Sequence, residues 1–394
     1  MNEVVIAGAV RTAIGRFQGT LTPFTASKLG SLVVREVTRR AQIKPEAVDE
    51  VIMGCVITAG LGQNPARQSA LWGGIPNSKG ALTINKVCGS GLKSVMLAAS
   101  TIKANDAEVI IAGGMENMTN APYLLPEARA GQRLGHGRLV DAMVFDGLWE
   151  IYNDFHMGMT AELVADKYKI SRQMQDEFSF QSHQKAVAAT KTGKFKQEIL
   201  PIEIPQPKGK PSILFERDEG PREDTTVEKL SKLKPAFKEN GTVTAGNSSQ
   251  ISDGASALLV MSGSAAKKYG VKPLARITGY ATGGLAPEWV MMAPLEAVKN
   301  LMAKTGMKIT EFDLYEFNEA FSAATVALIK ELKLDPEKVN VHGGAVALGH
   351  PIGCSGARIL TTLIYALKQR GLKTGLATLC LGGANAVTMS IEII

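Results

Sequence analysis

Cys88 is followed at once by Gly89-Ser90-Gly91, and beyond the glycines Leu92, Val95, Met96, Ala99 and Ile102 recur at helical spacing. The pattern predicts a loop that turns on its glycines and enters a buried helix, with a thiol at the mouth. Free N–H groups and partial positive charge at a helix N-terminus favour a thiolate, the nucleophilic form of cysteine. The Ser90 hydroxyl is a candidate cap for that helix. An inert, buried cysteine ahead of an ordinary helix is the competing reading.

Three further stretches carry reactive groups among glycines. His350 precedes Pro351 and follows Gly343-Gly344 and Gly349, so an imidazole can project from a rigid loop. A His paired with a Cys is the usual way to make a thiolate near neutral pH, although a lone His is more often structural. Asn318, in Phe317-Asn318-Glu319-Ala320-Phe321, can hold a water or cap the helix that follows. Cys380 ends an apolar strand before Gly382-Gly383. If it faces a site it is a second thiol, suited to taking a proton; otherwise it packs a core. Dinucleotide and P-loop fingerprints, zinc-protease and serine-hydrolase motifs are all missing. The glycine loops therefore read as oxyanion or thioester-binding backbone.

The elements that must position these groups alternate. Strands are expected over Glu3–Ala9, Val48–Met53, Glu108–Ala112, Ala257–Met261, Ala275–Tyr280, Phe312–Phe317, Val339–His342 and Leu376–Leu381. Helices are expected over Thr25–Arg40, Pro65–Leu71, Leu295–Lys304 and Ala320–Leu332. Between 120 and 247 the composition shifts to Pro, Met, Lys and Glu, with helices at Ala161–Tyr168 and Arg172–Thr190 and an extended stretch marked by Pro201, Pro205, Pro207 and Pro211. That segment reads as a large insertion into an α/β layer fold. Ile352-Gly353-Cys354-Ser355-Gly356 with its helix parallels Val87-Cys88-Gly89-Ser90-Gly91 with its own. Leu376–Leu381 with Gly382-Gly383 parallels Ile110–Ala112 with Gly113-Gly114. Such a long repeat means two similar halves packed together, with a site between them.

The 394 residues suffice for two or three domains. Four cysteines without a C-x-x-C pair, and five dispersed histidines, argue against a metal or redox centre. No apolar run is long enough to span a membrane and no secretory signal is visible, so a cytoplasmic protein is expected. The net charge of +7 suits an anionic small substrate. No basic–aromatic stretch suggests nucleic acid.

Asn85-x-Val87-Cys88-Gly89-Ser90-Gly91, Asn318-Glu319-Ala320-Phe321, Gly349-His350-Pro351-Ile352-Gly353 and Cys380-Leu381-Gly382-Gly383, in this order, resemble the thiolase family. The likeness covers nearly the whole chain and includes Gly113-Gly114-Met115-Glu116-Asn117-Met118 and Asn247-Ser248-Ser249-Gln250. It is strongest to the short-chain members, which interconvert two acetyl-CoA with acetoacetyl-CoA and CoA. The resemblance implies a duplicated five-layered α-β-α-β-α fold. Residues 1–120, completed by about 250–270, would form the N-terminal half, 121–249 a loop domain binding CoA, and 271–394 the C-terminal half. It implies Cys88 as the acylated nucleophile, His350 as its activator and Cys380 as the acid/base. Asn318 would hold a water that forms one oxyanion hole with His350, and the N–H groups of Cys88 and Gly382 would form the other. It also implies Arg222 against adenine, Ser249 on the pantetheine, and Leu148, His156, Met157 and Phe321 along the acyl end. CoA and acyl-CoA would be substrates, with no cofactor. A homotetramer is implied, with Arg129, Arg133 and Arg138 in the tetramerisation loop. Gln250, Met292-Ala293-Pro294, Ala384 and Ala386 depart from the family's usual glycines, and their side chains are expected to reshape the acyl pocket. A degradative thiolase for longer chains and a catalytically silent acyl-CoA binder are the alternatives.

Overall fold

A computed structural model describes residues 3–206 and 210–394; Pro207 lies outside the described residues. In chain order the N-terminal half provides β1 (Val4–Thr12), α1 (Ala26–Arg40), β2 (Glu50–Gly54), α2 (Pro65–Trp72), β3 (Gly80–Ile84), α3 (Ser90–Ala104) and β4 (Val109–Asn117). The inserted segment carries α4 (Met157–Tyr168) and α5 (Arg172–Lys191), and the chain returns through β5 (Ser252–Ser262). The C-terminal half provides β6 (Ala275–Gly284), α6 (Ala293–Thr305), β7 (Leu314–Phe317), α7 (Ser322–Glu331), α8 (Ala345–Leu348), α9 (Ile352–Arg370), β8 (Thr374–Leu381) and β9 (Asn385–Ile393).

The repeat read from the glycine loops is a repeat of topology. In the first half β2 runs parallel to β4, β4 antiparallel to β5, and β5 antiparallel to β1. In the second, β7 runs parallel to β8, β8 antiparallel to β9, and β9 antiparallel to β6. The two sheets meet edge to edge at Val5–Arg276 and Ile6–Ala275. Between them α3 and α9 form a shared middle layer, with Leu92, Val95, Ile359, Leu360 and Leu363 in one apolar core with residues of both sheets. A helix in that position must be apolar all round, and α9 is buried from Ile352 through Leu367. The core containing α1 covers the outer face of the first sheet, and Leu301 of α6 with Ala323 and Ala327 of α7 covers the second. This gives five layers, α-β-α-β-α.

Local signals explain the element ends. Thr25 accepts a hydrogen bond from the Lys28 N–H and caps α1, whose last turn carries Arg39 and Arg40 against the helix dipole. β4 continues through Gly113-Gly114 to Asn117 rather than stopping at the glycines. A Cβ on Gly113 would collide with the Ser256 carbonyl of the neighbouring strand, and one on Gly114 with the Gly353 carbonyl of α9. These glycines let a helix lie on a strand, whereas their counterparts Gly382-Gly383 make a turn between β8 and β9. The expected strand at Val339–His342 is not formed: one bridge joins Val339 to Tyr315, and the chain then turns toward α8. Asn340 satisfies the end of β7 from the side, accepting from Phe317 N and donating to Phe317 O.

The inserted segment is fixed to the layers by charge. Arg11 of β1 is fully buried and donates from Nε to Glu198 at 2.6 Å and from its two Nη atoms to Asp218 at 2.7 and 2.9 Å. Thr362 of α9 donates to the same Glu198. Burial alone would weaken the guanidinium's hold on its proton, but the two carboxylates raise it well above the ordinary arginine value. Arg11→Met leaves two carboxyls buried together without their cation, and we expect a loss of about 3–5 kcal/mol at neutral pH. Burial already raises the proton affinity of Glu198 against the pull of Arg11, and without that cation it rises further above the unfolded value, so stability falls as pH rises above about 4. Urea unfolding at pH 5 and pH 8 should show the larger deficit at pH 8, and equal deficits would refute the charge argument.

Candidate active site

After β3 ends at Ile84, the loop that carries Cys88 is closed by its own polar groups. Asn85 accepts from the Val87 N–H at 2.9 Å. Ser90 Oγ accepts from Lys86 N–H at 2.8 Å and donates to the Val87 carbonyl at 2.7 Å. Ser90 therefore staples the turn and does not cap α3, whose N-cap is Gly89 without a side-chain cap. The loop turns on Val87, at φ +46°. A β-branched residue in the left-handed region is strained, and such strain gathers at functional sites. Gly89 is needed because a Cβ there would overlap Leu381 at the end of β8. That contact brings the Cys88 loop onto the strand carrying Cys380.

His350 lies between α8 and α9. Its N–H donates to the Gln250 carbonyl at 3.0 Å, and its ring bridges two side chains. Nδ1 is 2.6 Å from Ser355 Oγ, which itself donates to the Pro351 carbonyl. This assigns the ring proton to Nδ1 and makes Nε2 the acceptor. Nε2 is 3.3 Å from Asn318 Nδ2. Asn318 does not cap α7, whose N-cap Phe321 has no side-chain cap. Its Oδ1 is buried and unpaired among the described residues, the condition under which a buried water is held. Burial, aided by the positive charge of Arg358, pushes His350 down to about 3, so the imidazole is neutral.

Cys380 ends β8 with its Sγ 3.7 Å from Met291 Sδ. Burial, then the neighbouring Cys88, push its thiol up to about 12. Cys88 is also pushed up to about 12, chiefly by burial; the N–H groups of Gly382 and of Cys88 itself pull the other way, and Glu116 adds to the rise. The Cys88 side chain still keeps some surface open to the cavity. The expected resting thiolate is thus corrected. Two N–H donors favour the anion, but loss of water outweighs them, and the site rests as two thiols and a neutral imidazole. The two N–H groups aimed at one sulfur are the donors that an oxyanion formed beside it would meet.

One cavity of about 510 Å³ contains Cys88, His350, Cys380 and Gly382 together with Arg222, Ser249, Leu148, His156, Met157 and Phe321. Asn318 reaches it through His350. A larger cavity of about 830 Å³, between the end of α5 and residues 195–223, contains no thiol and no imidazole. His156 caps α4 by accepting from Gly158 N–H at 3.0 Å. Its ring stacks on Phe237 at 4.7 Å, and Phe237 meets Phe321 edge-on at 5.9 Å. Phe237, Met291 and the Ser355 partner of His350 escape the sequence reading. Only Ser355, in a loop already singled out, carried a signal there. The departures from glycine also sort differently than expected. Ala293 and Ala386 pack on each other with Ala297, and Ala384 is buried at φ +53°. None of these lines the cavity, whereas Gln250 and Met291 do.

For a thiol that titrates at about 12, the thiolate fraction rises tenfold per pH unit through neutrality. Alkylation of Cys88 by iodoacetamide, read by mass spectrometry of its peptide, should therefore accelerate about tenfold per unit from about pH 6 to 9. A plateau near neutral pH would reveal a resting thiolate and overturn the assignment.

The chain is similar to known proteins along its whole length. Residues 4–264 match the thiolase N-terminal domain and residues 271–393 the thiolase C-terminal domain. The chain is 51% identical over 391 residues to an acetyl-CoA acetyltransferase of Pseudomonas aeruginosa, covering 99% of each. It is 52% identical over 392 residues to one of Cupriavidus necator, covering 100% of each. A probable acetyl-CoA acyltransferase of Staphylococcus aureus is 49% identical over 392 residues, covering 100% of this chain and 99% of the other. The crystal structure of the Bacillus anthracis acetyl-CoA acetyltransferase superposes with a TM-score of 0.97 at 43% identity, covering 100% of this chain and 99% of that one. Matched in both halves and along its full length, the chain belongs to the thiolase family.

Proposed function

We propose that this chain is an acetyl-CoA C-acetyltransferase, which condenses two acetyl-CoA reversibly to acetoacetyl-CoA and CoA. The reading rests on one observation: two thiols, a neutral imidazole and a pair of N–H donors at the Cys88 sulfur share one cavity. The full-length relatives named acetyl-CoA acetyltransferase support it.

In this reading Cys88 Sγ attacks the thioester carbonyl of the first acetyl-CoA as His350 Nε2 takes the thiol proton. The tetrahedral oxyanion collapses to acetyl-Cys88, and the departing CoA sulfur takes the proton of the Cys380 thiol, so that His350 keeps the Cys88 proton on Nε2. Cys380, as its thiolate, removes the α-proton of the second acetyl-CoA. The enolate oxygen is met by the Nε2–H of protonated His350 and by a water on Asn318. The carbanion attacks acetyl-Cys88, whose carbonyl oxygen turns to the N–H groups of Cys88 and Gly382. Collapse expels the Cys88 thiolate and releases acetoacetyl-CoA, and the proton held by His350 returns to Cys88, which restores two thiols and a neutral imidazole. Donors of this kind contribute about 3–4 kcal/mol each to such transition states. No group beyond the chain and CoA is called on.

The same reading gives the halves 1–120 and 271–394 the chemistry and segment 121–249 the CoA. Arg222 then lies at the adenine, Ser249 at the pantetheine, and the ring wall of His156 and Phe321 with Leu148 and Met157 beside the acyl end. A cytoplasmic place in fatty acid metabolism goes with it. A homotetramer is also proposed. Its support is the arm around Arg129, Arg133 and Arg138, where Leu134 is 98% exposed with Tyr123, Leu125 and Leu139 nearby.

Thiolysis is read as loss of the acetoacetyl-CoA enolate absorbance on adding CoA. Cys88→Ser should lower the rate at least about a thousandfold. Cys380→Ser should lower it about 10²–10⁴-fold while still allowing acyl transfer to Cys88, detected by mass spectrometry. Full turnover by Cys88→Ser would end the proposal. Faster turnover of 3-ketohexadecanoyl-CoA than of acetoacetyl-CoA would move the substrate to longer chains. Light scattering should give a tetramer, and a monomer would dispose of the arm's role.

A further inference from the structure

Gln250 lines the reactive cavity, and its side chain takes no part in the set of reactive groups described above. The backbone of Gln250 belongs to the machinery already described, since its carbonyl accepts from His350 N–H at 3.0 Å and from Ser252 Oγ at 2.9 Å. The side chain bridges two segments. Its Nε2 lies 3.1 Å from the Gly220 carbonyl, 3.2 Å from that of Val346 and 3.1 Å from that of Ala347. Gly220 precedes Arg222 by two residues in the inserted segment, and Val346 and Ala347 form α8 just before His350. The joint is tight: a Cβ on Gly220 would collide with the Ala347 carbonyl.

Three carbonyls around one end of an amide settle its orientation, because an oxygen turned toward them would be repelled. Oε1 is therefore at the other end. Among the described residues no donor meets it, and it is not among the buried unpaired atoms. An acceptor held rigidly by its own nitrogen, unpaired and reachable, on the wall between Ser249 and the reactive groups, calls for a ligand with an N–H.

We propose that Gln250 Oε1 accepts a hydrogen bond from an amide N–H of the pantetheine arm of the CoA thioester. The inference rests on the thioester reading of the site, since the pantetheine arm is the part of that substrate that offers amide N–H donors along its length. Anchoring of Nε2 to both segments makes the contact a preformed one. It also ties the Gly220–Arg222 segment to the loop of His350, so binding of the arm and placement of the imidazole share one side chain.

The test uses acetoacetyl thioesters of two CoA analogues, each with one pantetheine amide replaced by an ester, which keeps the carbonyl and removes the N–H. For the wild type, kcat/KM should fall about fivefold with one of the two analogues, the effect of one neutral hydrogen bond. In Gln250→Ala and in Gln250→Met, which keeps the side-chain length, that selective fall should vanish. A wild type indifferent to both esters overturns the contact without recourse to any variant. The same fall persisting in both variants overturns it too. If wild type turns over no acyl-CoA at all, the thioester reading fails first, and that result is distinct from normal turnover with no ester effect.

Discussion

The structure depends on how closely the first turns of α3 and α9 approach. A Cβ on Gly91 would come within 2.7 Å of Ala357 N, and one on Gly356 would collide with Leu92 N. Each glycine is the counterpart of the other in the repeated loop, so the two halves meet through equivalent backbone. Contact at this distance requires glycine. It sets the Cys88 loop and the His350 loop side by side although 262 residues separate the two side chains (350 − 88). Glu116 at the end of β4 holds the joint from below, accepting from Val56, Ile57 and Gly353 N–H groups at 3.0, 3.2 and 2.9 Å. Burial still pushes its carboxyl up to about 7, against the pull of those donors. The site exists only where the halves dock, and docking is driven by apolar burial of two helices wrapped by both sheets.

That burial also decides the chemistry. Every reactive group lies in a dehydrated layer, and the common result is neutrality at rest. The N–H donors of Cys88 and Gly382 act on charge that forms during reaction, where fixed dipoles contribute most. Arg358 belongs to the same design. It is fully buried 3.7 Å from Glu316, and no nitrogen of its guanidinium has a hydrogen-bond partner among the described residues. Its charge adds to the burial that keeps His350 unprotonated, so the ring can take a proton rather than hold one.

Much of this was legible in the sequence because it was written in local patterns. Glycine loops before apolar helices, repeated twice, predicted two halves and a site between them. Cys88, His350, Cys380 and Asn318 stood out as reactive types at the ends of elements. What stayed hidden depends on distance and solvent. Ser355 is a proton acceptor for His350 only because α9 begins at Ile352 and turns that hydroxyl back. Phe237 reaches the cavity through ring stacking across the inserted segment. Val339–His342 has the composition of a strand but no free edge to join, because Asn340 already satisfies Phe317. The resting state of Cys88 was the largest miss. A helix N-terminus is visible in sequence, but the water excluded from it is not.

The departures from glycine show how the family's frame absorbs substitution. Methyl groups at Ala293 and Ala386 were expected in the acyl pocket, yet they fill a gap between α6 and β9 with Ala297. Ala384 accepts a left-handed backbone at a cost of about 1–2 kcal/mol, offset by a methyl with no exposed surface. Of the departures only Gln250 lines the cavity, and Met291, next to Met292, lines it at a different point. Met291 sets a flexible thioether against Cys380, at the reacting end, whereas Gln250 sets a fixed amide beside Ser249, along the carrier arm. The two side chains thus meet the cavity from different segments of the chain. One can change without the other, because Met291 is carried by the turn that precedes α6, whereas the Gln250 side chain is held by the inserted segment and α8.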